Sequence, residues 1–378
     1  MRACLAGHPR VRLEAAADPR VEARAAFEAE FGGRTYETVD AMCGDPQIDV
    51  VYVASPHELH ATHAIAAAGA GKHVLVEKPM ALSLADCAGM TAAARDAGVQ
   101  LIVGPSHSFD APVARTRALI AAGEYGLVRQ IVALTYTDFL YRPRRPEELE
   151  EASGGGVLFS QAVHQIDTVR LLAGGLVRSV RAHAGAWDPE RPSDGAYTAL
   201  LRFEGGAAAS LSYSGYGRYD SDELVGWIGE TGFAKDPGVY GDARKRLDTG
   251  GANETRLKEA RAYGAPGSSD APEVPPHHEH FGYLLVSCER ADLRPTPHGV
   301  TVYGERERIF HPLDPPRVAR EAVIDEVWRA VGEAQQPLHS GEWGAASLEV
   351  CLAMKRSAEE DREVSLEHQI AVVDGPSG

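Results

Sequence analysis

The chain has 378 residues, a length that predicts two domains and a core large enough to need neither disulfides nor a structural metal. Its composition, 44% hydrophobic and 24% charged, is typical of soluble globular proteins and excludes collagenous, disordered and membrane-protein classes. With 38 Lys and Arg against 54 Asp and Glu, the net charge of −16 disfavours nucleic acid and anionic membranes as partners.

The first hundred residues alternate short apolar runs with longer helical patterns, which predicts βαβ units and a parallel sheet. The predicted strands are short and flanked by turn residues, as expected of strands buried on both faces: Val11–Ala17, Val50–Ala54, His73–Val76 and Gln100–Val103. The predicted helices are rich in alanine: Val21–Phe31, His57–Ala68 and Leu84–Ala97. We therefore expect a Rossmann-like dinucleotide-binding domain over residues 1–108.

The pattern changes after Ser106, where one helix leads into long β-rich segments. The predicted strands are Val128–Phe139, Val177–Trp187, Tyr197–Phe203 and Ala207–Tyr213. Long hairpin-connected strands predict an α/β domain over residues 109–378 with an open, largely antiparallel sheet. Its uncovered face predicts a homo-oligomer, a dimer or tetramer. Residues 235–276 read as an insertion of unassigned order, and Trp343–Glu360 as an amphipathic helix.

Polar residues follow three of the predicted parallel strands, at the edge where α/β sheets bind ligands. Asp18 follows the first strand, where a carboxylate accepts hydrogen bonds from an adenosine ribose, although a helix cap before Pro19 is an alternative. Arg20 could receive a 2′-phosphate, so the sequence predicts NAD and leaves NADP open.

The other two strand ends carry Ser55-Pro56-His57 and Glu77-Lys78-Pro79. A lysine at such an edge can polarise a hydroxyl or carbonyl group, and the alternative is a surface salt bridge with Glu77. His57, His60 and His63 recur every three residues, but no further ligand has a fixed spacing to them. The sequence therefore favours helix capping and packing for these histidines, and it predicts no metal site.

Two further groups of polar residues lie in the second domain. The glycines at 154–156 precede a helical segment on which Ser160, His164 and Asp167 share one face, and an imidazole oriented by a carboxylate is a typical general base. A satisfied buried histidine is the alternative. A basic cluster of Arg142, Arg144 and Arg145 could bind an anionic substrate. A solvated loop or a subunit contact is the alternative.

The cysteines and the apolar runs bear on the cellular compartment. The five cysteines are far apart and include no CxxC pair, which predicts reduced core thiols in a cytoplasmic protein. No secretory signal opens the chain, and no stretch approaches the ~18 apolar residues that span a bilayer. We expect a protein that is neither exported nor anchored to a membrane.

Taken together, the strand ends at Asp18, Ser55-Pro56 and Glu77-Lys78-Pro79 and the glycine-led helix of His164 resemble the Gfo/Idh/MocA family of nicotinamide-dependent oxidoreductases. Other stretches look like its phthalate 4,5-cis-dihydrodiol dehydrogenase branch: Tyr136–Arg145, Phe159–Asp167 and Val286–Pro295. The resemblance implies a Rossmann domain followed by an α/β domain with an open sheet. It also implies that Lys78 is the catalytic lysine and His164 the catalytic histidine.

The sequence departs from the family pattern at two places. Ser160 stands where members usually carry an aspartate, so a carboxylate role in proton transfer would pass to Asp167. The family's first strand and GxGxxG loop, which cradle the pyrophosphate, are absent from the sequence, which begins within the first helix.

The expected activity is hydride transfer between a cyclic, carboxylated diol and NAD. Lys78 would hydrogen-bond the reacting hydroxyl, His164 would be the base, and Asp167 would orient it. Two alternatives remain open: a sugar or cyclitol dehydrogenase of the same family, and a noncatalytic ligand-binding or assembly subunit that has lost its phosphate loop.

Overall fold

The computed structural model describes residues 1–150, 154–249, 253–265 and 274–373. Its N-terminal helices are α1 Arg2–Gly7, α2 Val21–Phe31, α3 Val39–Cys43, α4 His60–Gly69 and α5 Leu84–Ala97. Its N-terminal strands are β1 Ala15–Ala17, β2 Arg34–Tyr36, β3 Val50–Val53, β4 His73–Val76 and β5 Leu101–Val103. The predicted alternation of strands and helices is confirmed, with a shorter β1 and with β2 and α3 added.

These strands form two parallel sheets, β1-β2 and β3-β4-β5. Between them lies a cavity of about 1410 Å³, lined on one side by Ala15, Ala16 and Ala17 and on the other by Val50 and Tyr52. In a doubly wound sheet of order 3-2-1-4-5-6, this is the position of the first strand. The expectation of a Rossmann-like sheet without that strand is therefore confirmed for the described residues.

The helices of this half are built from small side chains with defined ends. Ala64, Ala67 and Ala68 on α4 are buried, so α4 packs closely against the sheet and α5. Ser83 caps α5 by accepting a hydrogen bond from the main-chain N–H of Asp86. Because the helix ends are defined, the strands that they connect end at fixed places along the carboxyl edge of the sheet.

The C-terminal half contains helices α6 Ala111–Ala121, α7 Val163–Ala173, α8 Asp242–Thr249, α9 Glu254–Glu259, α10 Glu321–Gly332 and α11 Gly341–Glu360. Its strands are β6 Val128–Tyr136, β7 Val177–Gly185, β8 Ala196–Phe203, β9 Ala208–Ser214, β10 Tyr283–Cys288, β11 Ala291–Thr296, β12 Gly299–Gly304, β13 Arg308–Pro312 and β14 Val364–Ser365. They form one sheet of order β13-β12-β11-β10-β6-β9-β8-β7-β14, in which only the β6-β9 pair is parallel. The predicted open, largely antiparallel sheet is confirmed.

One face of this sheet is covered by helices and the other is open. On β8, Tyr197, Ala199 and Leu201 are buried, whereas Leu200 and Arg202 are exposed. The period of two is what a sheet with one covered face requires. Helices α7 and α11 pack on the covered face, so the start of α7 is held between the sheet and the N-terminal half.

The last two long helices return to the N-terminal half. Val323 and Val327 of α10 pack in one apolar cluster with Leu75 of β4 and Ile102 of β5. Trp343 of α11 is only 2% exposed. The predicted division between residues 108 and 109 falls between β5 and α6, but the two halves share buried contacts across it.

The predicted insertion, residues 235–276, contains α8 and α9. Its residues 250–252 and 266–273 lie outside the described part of the chain. Among the described residues, no helix combines the length and apolar character needed to cross a membrane.

Candidate active site

The carboxyl ends of β1 and β3 open into the large cavity, which residues of both halves line. Asp18, Ser55 and His57 come from the N-terminal half, and Arg144 and Ser160 come from the C-terminal half. Because carboxyl ends of parallel strands meet at one edge, this is where an α/β sheet binds ligands. The predicted site residues that line this cavity are Asp18, Arg20, Ser55, Pro56, His57, Arg144, Arg145 and Ser160. The others are not among its lining residues: Glu77, Lys78, Arg142, His164 and Asp167.

At one end of the cavity, Asp18 forms an ion pair with Arg20. The Arg20 guanidinium donates through Nε to Asp18 Oδ1 at 3.0 Å and through Nη2 to Asp18 Oδ2 at 2.8 Å. Burial opposes ionisation of Asp18, but the hydrogen bonds and charge of Arg20 outweigh it and hold the pKa of Asp18 below its usual value. The two residues considered for NAD and NADP recognition are thus joined in one charged group.

The histidines after β3 brace the strand ends. The ring nitrogens of His60 lie 2.9 Å from the carbonyl oxygens of Ser55 and Pro79. His63 Nδ1 lies 2.9 Å from Ser55 Oγ. This geometry agrees with capping and packing, and it fixes the Ser55-Pro56 turn relative to the end of β4. His57 lines the cavity, and burial lowers its pKa to about 4.

Lys78 reaches across from β4 to the C-terminal half. Its Nζ donates to the carbonyl oxygen of Ser160 at 2.9 Å. Ser160 lies in a π-helical turn that precedes α7. Glu77 instead accepts a hydrogen bond from the Tyr52 hydroxyl, so the predicted alternative of a Lys78–Glu77 surface salt bridge is not what forms. Burial lowers the pKa of Lys78. An ammonium has three donors, so two remain for a ligand.

His164 is 7% exposed, and its Nδ1 atom has no hydrogen-bond partner. Burial and the nearby cations Lys78, His107 and Arg320 hold its pKa well below the usual value. His164 also lines a second cavity of about 190 Å³, together with His107 and Arg320. An uncharged imidazole with a free ring nitrogen beside a lysine is suited to accept a proton from a bound hydroxyl group.

Next to His164 lies a charged group that the sequence analysis did not identify. His107 Nδ1 lies 2.7 Å from Asp110 Oδ2, and its Nε2 lies 3.4 Å from Glu230 Oε1. The signal for His107 was available, because it follows the carboxyl end of β5 just as Lys78 follows β4. No sequence signal pointed to Glu230, because it lies in an irregular segment.

The predicted orientation of His164 by Asp167 is wrong. Asp167 Oδ2 accepts a hydrogen bond from Ser108, and Oδ1 accepts from Trp343 Nε1 at 2.5 Å and from Ser347 Oγ at 3.1 Å. The side chains of Asp167 and His164, three residues apart on α7, engage different partners. Asp167 belongs to a buried network that joins the two halves of the chain.

That network extends through His339. The His339 Nε2 atom lies 2.8 Å from Ser108 Oγ, and its Nδ1 lies 2.9 Å from Glu326 Oε2. Arg170 donates to Ser347 Oγ at 2.8 Å and to the Trp343 carbonyl oxygen at 3.1 Å. Asp167, His339 and Arg170 therefore each have hydrogen-bonded partners, although the buried Nη2 atom of Arg170 has none.

The three predicted substrate arginines differ in their surroundings. Arg142 donates to Asp138 Oδ1 at 3.2 Å, and its NH1 lies 4.0 Å from Glu230 Oε2. Although burial opposes its charge, these carboxylates raise the pKa of Arg142. Arg145 donates its main-chain N–H to Glu148 and lines the large cavity. Arg142 is thus already paired with two acidic groups.

Arg144 is the arginine with unmet hydrogen-bonding capacity. Its guanidinium stacks on Phe139 at 3.6 Å and donates to that residue's carbonyl oxygen at 2.7 Å, but its buried Nε has no partner. Glu148 lies 4.0 Å from NH1 and is itself paired with Lys258. Burial lowers the pKa of Arg144 to about 10, so a bound anion would stabilise its charge.

The described residues fit a nicotinamide dinucleotide at its two ends. Asp18 offers carboxylate oxygens for ribose hydroxyls, and Ser55, Pro56 and His57 line the same cavity, whereas Glu77 and Lys78 follow β4 and are not among the lining residues. The sequence contains no GxGxxG donor set for the pyrophosphate between them. The fit therefore rests on the ribose and nicotinamide ends.

Comparison with known domain families gives two matches that follow one another along the chain. Residues 1–105 match the Gfo/Idh/MocA oxidoreductase family with an NAD-binding Rossmann fold, and residues 113–235 match the Gfo/Idh/MocA C-terminal domain. A 1-carboxy-3-chloro-3,4-dihydroxycyclohexa-1,5-diene dehydrogenase of Comamonas testosteroni is 44% identical over 91% of this chain and 88% of its own length. A Thermotoga maritima myo-inositol 2-dehydrogenase is 25% identical over 89% and 85%, respectively.

Solved structures agree with these matches. The crystal structure of a Bordetella bronchiseptica RB50 protein described as a dehydrogenase superposes with a TM-score of 0.92 at 40% identity. The superposition covers 97% of this chain and 96% of that one. A levoglucosan dehydrogenase in complex with NADH and levoglucosan has a TM-score of 0.72 at 19% identity, over 96% and 94%. The second similarity concerns the fold alone.

The position of Asp167 predicts a structural role. Asp167→Ala should lower the free energy of unfolding by ~3 kcal/mol or more, because it leaves the donors of Ser108, Trp343 and Ser347 buried without an acceptor. Urea denaturation measures this change. Asp96→Ala, which removes a carboxylate that is 75% exposed, should stay within about 0.5 kcal/mol of the parent. Unchanged stability of Asp167→Ala would contradict the assignment.

Proposed function

The chain belongs to the Gfo/Idh/MocA family of nicotinamide-dependent oxidoreductases, and we propose that it oxidises a carboxylated cyclic diol with NAD⁺. The observation that carries the proposal is the buried, unpartnered Nδ1 of His164 near Lys78, with the buried, unpartnered Nε of Arg144 on another side chain near that lysine. The Comamonas relative acts, by its name, on a carboxylated cyclohexadiene diol. Its similarity over nearly the whole chain supports that substrate class here.

The catalytic roles follow from the donors and acceptors present. Lys78 would donate a hydrogen bond to the reacting hydroxyl oxygen and stabilise the negative charge that develops there. His164 Nδ1 would accept the hydroxyl proton. When bound, NAD⁺ supplies the acceptor for the hydride that leaves the carbinol carbon, so the diol loses two electrons and one proton is released. The Lys78–Ser160 hydrogen bond orients the ammonium for this task.

Arg144 is the proposed anchor for the substrate carboxylate. Stacking on Phe139 fixes the plane of its guanidinium, and its free Nε offers a donor that a carboxylate can satisfy. Arg142 is less suited, because Asp138 and Glu230 already neutralise it. In a protein of net charge −16, such a local cation is what admits an anionic substrate.

We further propose a cytoplasmic homo-oligomer. The cysteines of the described chain are all free, as is typical of a reducing compartment. The uncovered face of the large sheet carries apolar side chains such as Leu200, which is 49% exposed, beside charged ones such as Arg181 and Arg202. We propose that the same face of a second copy of the chain packs against it.

Lys78→Ala and His164→Ala should each lower kcat by about 100-fold or more, the range typical of a lost acid–base group. The formation of NADH from NAD⁺ and a carboxylated cyclohexadiene diol measures this. His368→Ala, at an exposed histidine after β14, is the matched control and should keep the parent rate. Full turnover by either site variant would remove that residue from the chemistry.

Arg144→Ala should raise the KM for the carboxylated diol by roughly 10- to 100-fold, because a charge-assisted hydrogen bond worth ~1.5–3 kcal/mol is lost. Oxidation of a neutral cyclitol should be unaffected. Arg306→Ala removes the same charge at an exposed position and should change neither substrate's KM. If the parent oxidises the neutral cyclitol as well as the carboxylated diol, the cyclitol dehydrogenase alternative is the correct one.

Asp18→Ala should weaken NADH binding more than NADPH binding. The change removes the acceptor for the ribose hydroxyls and also releases the Arg20 guanidinium, which can then pair with a 2′-phosphate. Fluorescence titration with both reduced cofactors measures the two Kd values. The double variant with Arg20→Ala should lose the gain in relative NADPH affinity. An unchanged ratio in Asp18→Ala places Asp18 outside the cofactor site.

A further inference from the structure

His107 sits where both of its ring nitrogens face carboxylates. It lies in the short helical turn after β5 and is 4% exposed, with Asp110 Oδ2 at 2.7 Å from Nδ1 and Glu230 Oε1 at 3.4 Å from Nε2. A neutral imidazole donates from one nitrogen only, whereas an imidazolium donates from both. Two ionised acceptors at the two nitrogens therefore select the charged form of His107.

The charges around this group agree with that geometry. Burial opposes the imidazolium, but Asp110 and Glu230 outweigh it and raise the pKa of His107 to about 10. Glu230 likewise remains ionised, because His107, Arg142 and Lys78 overcome burial and lower its pKa to about 2. His107 and its two carboxylates thus form a fixed charged group at neutral pH.

This cation contacts His164 directly. The two imidazole rings meet edge to face with their centroids 4.8 Å apart, and Phe281 packs against both, at 4.9 Å from His107 and 5.0 Å from His164. Both histidines are buried, at 4% and 7% exposed, so the interaction between their charges is weakly screened. A proton on His164 would therefore place two positive rings in contact.

We propose that His107 is a positioning residue whose permanent positive charge keeps His164 unprotonated, so that His164 is ready to accept the substrate's proton. The proposal rests on the proposed function of His164 as the base. The proposal gives a role to His107 in addition to the roles of Lys78 and His164, the two residues that the sequence identified. It also explains why His107 is surrounded by two carboxylates while His164 has none.

The sign of the effect follows from the charges that face each ring. His164 faces Lys78 from the end of β4, His107 from the end of β5, and Arg320 from the start of α10, and all three are cations. Removing the His107 cation makes protonation of His164 easier and raises its pKa. Since only the neutral imidazole accepts a proton, the acidic limb of the pH profile should then move to higher pH.

The group that holds His107 has a third acidic neighbour. Glu279 lies near Asp110 and His107, and burial raises its pKa, although its salt bridge with Arg320 at 3.2 Å opposes this. The charge on His107 therefore depends first on Asp110 and Glu230, the two carboxylates within hydrogen-bonding reach.

The test compares His107→Gln with His107→Lys. In His107→Gln, the acidic limb of kcat/KM should move up by roughly one to two pH units, while the rate at high pH stays near that of the parent. His107→Lys, which keeps a positive charge, should restore the parent limb. His368→Gln makes the same exchange at an exposed site and should leave the profile unchanged. An unmoved limb in His107→Gln overturns the proposal, whatever the change in rate.

A second readout does not depend on turnover. NMR titration of the histidine rings should show a higher titration midpoint for His164 in His107→Gln than in the parent, and a His107 ring that stays protonated to alkaline pH in the parent. In Asp110→Asn, His107 should lose its proton at a lower pH than in the parent. A parent His107 that titrates near its ordinary value of ~6.5 overturns the proposal. If these titrations succeed but the diol is not oxidised, the substrate assignment fails and the charge relationship between the histidines stands.

Discussion

The arrangement of the site depends on one buried carboxylate, Asp167. Its oxygens accept from Ser108 in the short helical turn after β5 and from Trp343 and Ser347 on α11. A buried carboxylate is tolerated only when its lone pairs are satisfied, so the three elements can meet in few ways. Helix α7 is thereby fixed against both halves of the chain. The π-helical turn before α7 then presents its carbonyl oxygen to Lys78, and the first turn of α7 presents His164 to the smaller cavity.

Within this frame, the electrostatics of the site separate residues with similar chemistry. Arg142 and Arg144 lie two positions apart, yet one is paired with Asp138 and Glu230 while the other stacks on Phe139 with a donor unmet. His107 and His164 are both buried, yet one lies between two carboxylates and the other among cations. Residue type alone does not decide which group carries charge. The neighbouring charges do, because burial removes the water that would otherwise make such groups alike.

The sequence predicted those features that depend on local pattern. Strands β3, β4 and β5, helices α2 and α5, and the hairpin β8-β9 follow from apolar runs and from Gly or Ser at their ends. Lys78 and Ser55 were found because strand ends are recognisable in sequence. Strands β10–β13 were not predicted. In β11 the residues Asp292, Arg294 and Pro295 interrupt the apolar pattern, whereas β10 and β12 carry short apolar runs that were available in the sequence. The partners of Asp167 lie 59, 176 and 180 residues away, and helical spacing carries no information about contacts at such distances.

The predicted insertion makes distant contacts of the same kind with residues that line the large cavity. Glu254 on α9 accepts from the Arg191 guanidinium at 2.9 and 2.6 Å, and from the main-chain N–H of Arg144 at 2.9 Å. A few residues later, Tyr263 donates its hydroxyl to Glu30 on α2 at 2.8 Å, and its carbonyl oxygen lies 3.4 Å from Arg20 NH1. One short segment therefore holds the backbone of the proposed carboxylate anchor and also contacts the residue paired with Asp18. A displacement of this segment would therefore act on the backbone of Arg144 and on the side chain of Arg20 together, because both residues contact it.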